Sequence, residues 1–187
     1  MFEELIVRVA RGLDRLSVPY MLIGGQAVLH YGEPRLTKDI DITLGVDIER
    51  LGDLLHMASD LGLIVTKDDI KAFAELTRVL PCMDTSTGIR VDFIFSFLEY
   101  ERLAIARAAR KTIGGAQVNV ASLEDIIILK VAAGRPRDLE DVLSMLLKNP
   151  ERDDFYIMDW LERMGSAIER DLIGPYKTLV RDAREKP

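Results

Sequence analysis

An α/β fold of the α+β kind is what this sequence predicts, and three observations predict it. Short apolar runs bounded by Gly, Pro and Asp alternate with helical stripes as far as residue 121. From about residue 122 the pattern is helical only. Two of the apolar runs carry acids, at Asp39, Asp41 and Asp92, where strands ordinarily exclude them. These observations predict an α/β core over 1–121 and a helical C-terminal region over 122–187 that closes one side of a cleft.

Taken in order, residues 2–16 place Phe2, Leu5, Ile6, Val9, Leu13 and Leu16 on one stripe of an amphipathic helix, which Ser17-Val18-Pro19 stops. Tyr20 to Ile23 is short and apolar, a buried strand. After Gly24-Gly25 the run Gln26 to Tyr31 suits a helix, and Gly32-Glu33-Pro34 breaks it. Lys38 to Leu44 is the next strand, with Ile40 and Ile42 on the face opposite the aspartates. Asp47 caps a helix to about Leu61, which Gly62 ends. Ile64-Val65 and Ala72 to Pro81 read as strands, and Arg90 to Phe95 as another of the same half-buried type as the one carrying Asp39. Glu99 to Ala109 is helical by composition. Gly114-Gly115 joins Lys111–Ile113 to Ala116–Val120 as a hairpin turn. Ser122, with Asp125 in the capping-box position, opens a helix to about Ala133, and Pro136 opens another to about Leu147. Helical segments near 154–168 and 175–184 complete the chain.

Bulk composition narrows the function. The net charge of −6 argues against a surface that grips DNA without selectivity, since such binding rests on neutralising phosphates with Lys and Arg. One cysteine, Cys82, and two histidines, His30 and His56, leave no disulfide and no nitrogen-and-sulfur metal cage. These three and Trp160 have only structural readings. No apolar run is long enough to span a bilayer, and acids near the N-terminus argue against a signal peptide, so a cytoplasmic location is expected.

The chemistry concentrates in MLIGGQAVLHYGEPRLTKDIDITL, residues 21–44. A Gly-Gly turn lets backbone amides approach a phosphate, because no Cβ stands in the way. Asp39 and Asp41, at i and i+2 of a strand, point the same way at roughly 6.5–7 Å spacing, a setting for one or two hard divalent cations facing a triphosphate. Asp92 alternates with Val91 and Phe93 on a strand expected beside that of Asp39. Arg90 shares its face and, in a structural account, is its salt-bridge partner. Arg35 precedes the aspartates, where it stabilises charge on a pyrophosphate leaving group or is a solvated loop residue. Lys130, late in an apolar helix, either snorkels or meets a phosphate. RPRDLEDV, with Pro136 and acids in the first turn, is equally an ordinary helix start.

Together and in order, these residues resemble the signature of the nucleotidyltransferase superfamily, with its polymerase-beta-like fold, and within it the minimal nucleotidyltransferases of the AbiEii toxin type. The resemblance covers residues about 19 to 145 and is carried by Gly24, Gly25, Arg35, Thr37, Asp39, Asp41, Asp92, Lys130 and Arg137-Asp138, with Arg137 standing where lysine is usual. It implies a small mixed sheet with helices packed on it, and transfer of a nucleoside monophosphate from an NTP such as ATP to a hydroxyl of RNA, protein or a small molecule, with release of pyrophosphate. It further implies Mg2+ or Mn2+ on Asp39, Asp41 and Asp92, with Asp92 helping to deprotonate the attacking hydroxyl. Gly24, Gly25, Arg35, Thr37, Lys130 and Arg137 would contact the nucleotide. The alternative of another class is a nucleotidyltransferase-shaped interaction protein, such as the antitoxin of a toxin–antitoxin pair, with little activity of its own.

Overall fold

Helix α1 (Phe2–Arg15) begins the chain and buries Leu5, Ile6, Val9 and Leu13 on its apolar stripe. The computed structural model describes residues 1–185, which divide into two units. The first comprises Met1–Gln26 and Leu36–Ala121. Its strands are β1 (Tyr20–Ile23), β2 (Asp39–Leu44), β3 (Leu63–Val65), β4 (Val79–Asp84), β5 (Arg90–Phe95), β6 (Ala109–Ile113) and β7 (Ala116–Val120). Among the described residues these form one mixed sheet in the order β3-β4-β5-β2-β1-β7-β6. Helix α1 packs on β6 and β7, and α5 (Glu99–Ala106) on β1 and β2. Helix α3 (Leu51–Asp60) packs on β3. Gly114 and Gly115 take the positive φ of a tight hairpin turn, 53° and 77°, between β6 and β7.

One expectation fails. Residues 72–77, read as strand, are the body of helix α4 (Ile70–Thr77). The Asp69 carboxylate accepts the Ala72 N–H at 3.1 Å, capping the first turn, and Ala72, Ala74, Glu75 and Leu76 are strong helix formers. Arg78 ends the helix in the left-handed region at φ 58°, and only from Val79 is the chain extended. A second difference is small: the strand β6 already begins at Ala109, where a helix was expected to end.

The second unit comprises Ala27–Arg35 together with the chain from Ser122 onward. Helices α6 (Leu123–Ala133), α7 (Pro136–Lys148), α8 (Asp154–Ala167) and α9 (Ile173–Glu185) build it, with α6 against α7 and α8, and α9 against α7 and α8. Segment 27–35, expected with the α/β core, is bound here instead. The Asn149 amide donates to the Tyr31 carbonyl at 2.8 Å, Lys148 pairs with Glu33 at 2.8 Å, and the Glu33 N–H reaches Ser144 Oγ at 3.2 Å. No helix among the described residues is long and apolar enough to cross a membrane.

Candidate active site

Strands β2 and β5 run side by side in parallel, in the register Asp39 to Arg90 and Asp41 to Asp92. Because side chains two apart share a face, these four form two adjacent rungs, about 6.5–7 Å apart along the strands and about 4.8 Å across. Ile40, Ile42, Val91 and Phe93 alternate with them and are fully buried on the other face. Slipping either strand by one residue would bury its carboxylates and expose its apolar side chains, so the core itself fixes which face the acids take.

On that face Arg90 Nη2 lies 2.7 Å from Asp92 Oδ2 and 4.0 Å from Asp39 Oδ2. The hydrogen bond and charge of Asp92, with the charges of Asp39 and Asp41 behind them, hold the guanidinium more firmly protonated than usual. Asp92 Oδ1 is buried and has no hydrogen-bond partner. The Thr37 hydroxyl lies 3.1 Å from the Asp39 carbonyl and 3.2 Å from its Oδ1, which orients that carboxylate.

Strand β1 brings the glycines alongside, since Ile23 is in register with Asp41. Gly24 and Gly25 do not precede a helix as the sequence suggested but are the first residues of one, α2 (Gly24–Val28). Gly24 sits at φ 65°, and a Cβ on it would overlap Asp41 Oδ2 and lie 3.0 Å from Asp41 Cγ. The carboxylate of Asp41 therefore occupies the space that the missing side chain leaves.

Among the described residues, no group of three or more His, Cys, Asp or Glu side chains is gathered closely enough to enclose a metal ion. On this face Asp92 Oδ2 is bonded to Arg90 instead. The donor set still suits a hard cation, because it is three carboxylates on one face and one of their oxygens is buried without a donor.

The basic residues expected at the nucleotide, Arg35, Lys130 and Arg137, belong to the second unit. Arg35 makes two hydrogen bonds to Asp141, at 2.7 and 2.8 Å. Lys130, only 6% exposed, lies 2.8 Å from Asp138 and 2.7 Å from Asp141, and Arg135 adds a 2.6 Å contact to Asp138. Lys130 therefore does not snorkel: its ammonium is turned inward to two carboxylates. Burial pushes the pKa values of Asp138 and Asp141 up, but the hydrogen bonds and charges of Arg135, Lys130 and Arg35 outweigh it and hold both below the ordinary 3.8. Arg137 is exposed and pairs with Glu140 at 3.2 Å. Arg135 was missed in the sequence, although its signal was present: Asp138 and Asp141, one turn apart on an amphipathic helix, need cations if that face is buried. Cys82 lies buried on β4, and burial, with Asp92 adding to it, pushes its thiol up to about 12, which leaves it inert.

The family model for the nucleotidyl transferase AbiEii toxin of type IV toxin–antitoxin systems matches residues 10–182. The chain belongs to this family. Solved structures share the fold of this AbiEii-family nucleotidyltransferase. The antibiotic-resistance factor ANT(2'')-Ia, in complex with adenylyl-2''-tobramycin, matches with a TM-score of 0.60 at 20% identity over 89% of this chain and 98% of its own. The lincosamide antibiotic adenylyltransferase LnuA, lincomycin-bound, matches at 0.55 and 12% over 76% and 94%. An antigenic nucleotidyltransferase-like protein from Paracoccidioides brasiliensis matches at 0.56 and 16% over 96% and 91%. No curated protein matches the chain. At these identities the structural likeness is one of fold. The interaction-protein alternative gains nothing here, because the matched family is that of the toxin.

Proposed function

We propose that this nucleotidyltransferase moves a nucleoside monophosphate from an NTP to a hydroxyl acceptor, and that the face carrying Asp39, Asp41 and Asp92 is where it does so. In the reaction the acceptor oxygen forms a bond to the α-phosphorus, the bond to the bridging oxygen of the β-phosphate breaks, and pyrophosphate leaves. Asp39, Asp41 and Asp92 would hold Mg2+ or Mn2+, which when bound neutralises phosphate charge and lowers the pKa of a coordinated hydroxyl. Asp92 takes the proton of the attacking hydroxyl. Thr37 keeps Asp39 turned to the same face, and Gly24 keeps space for the Asp41 carboxylate. The amides at Gly24 and Gly25 would contact the triphosphate, the role that the resemblance implies for them.

The observation that carries this reading is Asp92 Oδ1, a buried carboxylate oxygen with no hydrogen-bond donor beside two further acids. Leaving such an oxygen unsatisfied is unfavourable, and a folded protein retains it where a ligand completes it. Arg35 and Lys130 act at one remove, as the ion network that orders 27–35 against α6 and α7. The acceptor is proposed as a small hydroxylated molecule first, by analogy with the ANT(2'')-Ia and LnuA complexes, with RNA and protein as the other arms. Incubation with α-labelled NTPs, magnesium and each acceptor class tests this. Label should pass to one class with release of pyrophosphate, and Asp41→Asn should abolish the transfer. Transfer that survives in Asp41→Asn would remove this face from the chemistry.

A further inference from the structure

The four side chains of the two rungs are three acids and one base, and the base shares the face of the acids. Arg90 is the register neighbour of Asp39 and lies two residues from Asp92, so the backbone alone sets it on the carboxylate face. One nitrogen of its guanidinium, Nη2, donates to Asp92 Oδ2 at 2.7 Å and lies 4.0 Å from Asp39 Oδ2, within ion-pair reach of the second carboxylate. The remaining N–H groups of the planar fork can serve another anion by charge-assisted hydrogen bonds. The two carboxylates are those that the proposed site assigns to a divalent cation.

We infer that Arg90 is a resident counter-cation that competes with the divalent ion for Asp92, and that it is handed over to the nucleotide when the ion binds. The inference rests on the carboxylate face being the metal site. Two features make the exchange workable. The Arg90 side chain is 57% exposed, so its ion pair is of the weak, solvent-screened sort that a doubly charged ion with oxygen ligands displaces. Asp92 is different: its side chain is only 13% exposed and it sits within β5 in register with Asp41, so the carboxylate stays on the face when the arginine lets go, with Oδ1 open to a ligand. The released guanidinium, still anchored at the start of β5, lies beside a site that receives a polyphosphate, whose oxygens it binds as it bound the carboxylate. Arg90 is then a positioning residue that suppresses adventitious ion binding without nucleotide and favours it with nucleotide.

Calorimetric titration of Mn2+ into the full chain, with and without a non-hydrolysable ATP analogue, tests the exchange without relying on turnover. Arg90→Gln should tighten Mn2+ binding without nucleotide by about five-fold, the size expected for removing one exposed ion-pair competitor. The same variant should weaken binding of the analogue in the presence of Mn2+, by a similar factor or more. Arg90→Lys should restore part of both effects, since it keeps the charge but loses the fork. Urea denaturation without metal should find both variants folded. Unchanged or weakened Mn2+ binding in folded Arg90→Gln would overturn the counter-cation role and leave the metal site standing. Failure of the parent chain to bind Mn2+, with or without the analogue, would overturn the site reading and this inference with it.

Discussion

Gly24 stands where the chain turns out of β1 at φ 65°, and the oxygen of Asp41 fills the space its side chain would need. Gly24→Ala therefore meets two penalties, backbone strain and contact with a carboxylate. Gly115 makes a matched control, with φ 77° and open space around the added Cβ. We predict that Gly115→Ala loses about 1 kcal/mol in urea denaturation, and that Gly24→Ala loses about 1–2 kcal/mol more and nucleotidyl transfer with it. Equal losses would mean that Asp41 moves aside without cost. For Asp92→Asn the prediction is the reverse, an inactive protein of near-parental stability. Its ion pair is with an exposed arginine and is worth about 0–1 kcal/mol, and relief of repulsion among the acids offsets part of that. A loss above about 2 kcal/mol would assign Asp92 to the scaffold. The acids were legible in the sequence because a spacing of two on a strand fixes a common face. The partnership of Gly24 with Asp41 was not, since it depends on the register of β1 with β2.

At the scale of elements, the instructive helix is α6, whose apolar run carries a single lysine. Periodicity could say that Lys130 was surrounded by apolar neighbours but not that Asp138 and Asp141 would be brought to it from α7, or Arg35 from a segment far earlier in the chain. Lys130→Met should destabilise the fold by about 3 kcal/mol, the lower end for breaking a buried pair, because Arg135 and Arg35 still compensate the two acids in part. The pH dependence follows from the same network. Asp138 and Asp141 have folded pKa values depressed below 3.8, so the stability they add is fully present above that value and is lost as the pH falls through their folded values. In Lys130→Met the acid limb of a stability–pH profile should flatten, and an unchanged limb would show that the lysine contributes nothing to it. Helix α4 was missed for another reason. KAFAELT is rich in helix formers, but the run is short, and the cap that starts the helix, Asp69, lies outside it.

At the scale of the whole molecule, the boundary at 121/122 was legible in the change of pattern, but the excursion of 27–35 into the helical unit was not. Nothing local marks those nine residues as foreign to the strands on either side of them. A fragment beginning at Ser122 lacks Arg35 for Asp141 and the Tyr31 carbonyl for Asn149. We predict that 122–187 alone shows helical circular dichroism without a cooperative urea transition, and that linking 27–35 to its N-terminus restores cooperativity. A cooperative transition in the bare fragment would mean that the segment is dispensable. The same excursion sets a clock on synthesis. Once 27–35 has been synthesised, all of 36–121 must be added before the first residue of α6 exists, and at roughly 5–20 residues per second that is on the order of ten seconds. For that interval Arg35 and Tyr31 have no partners from the later helices, and β1 and β2 pair across a loop whose own destination has not been made. A nascent chain carrying residues 1–121 on a C-terminal linker long enough to clear the ribosome should accordingly display a protease-sensitive 27–35 within an otherwise protected sheet.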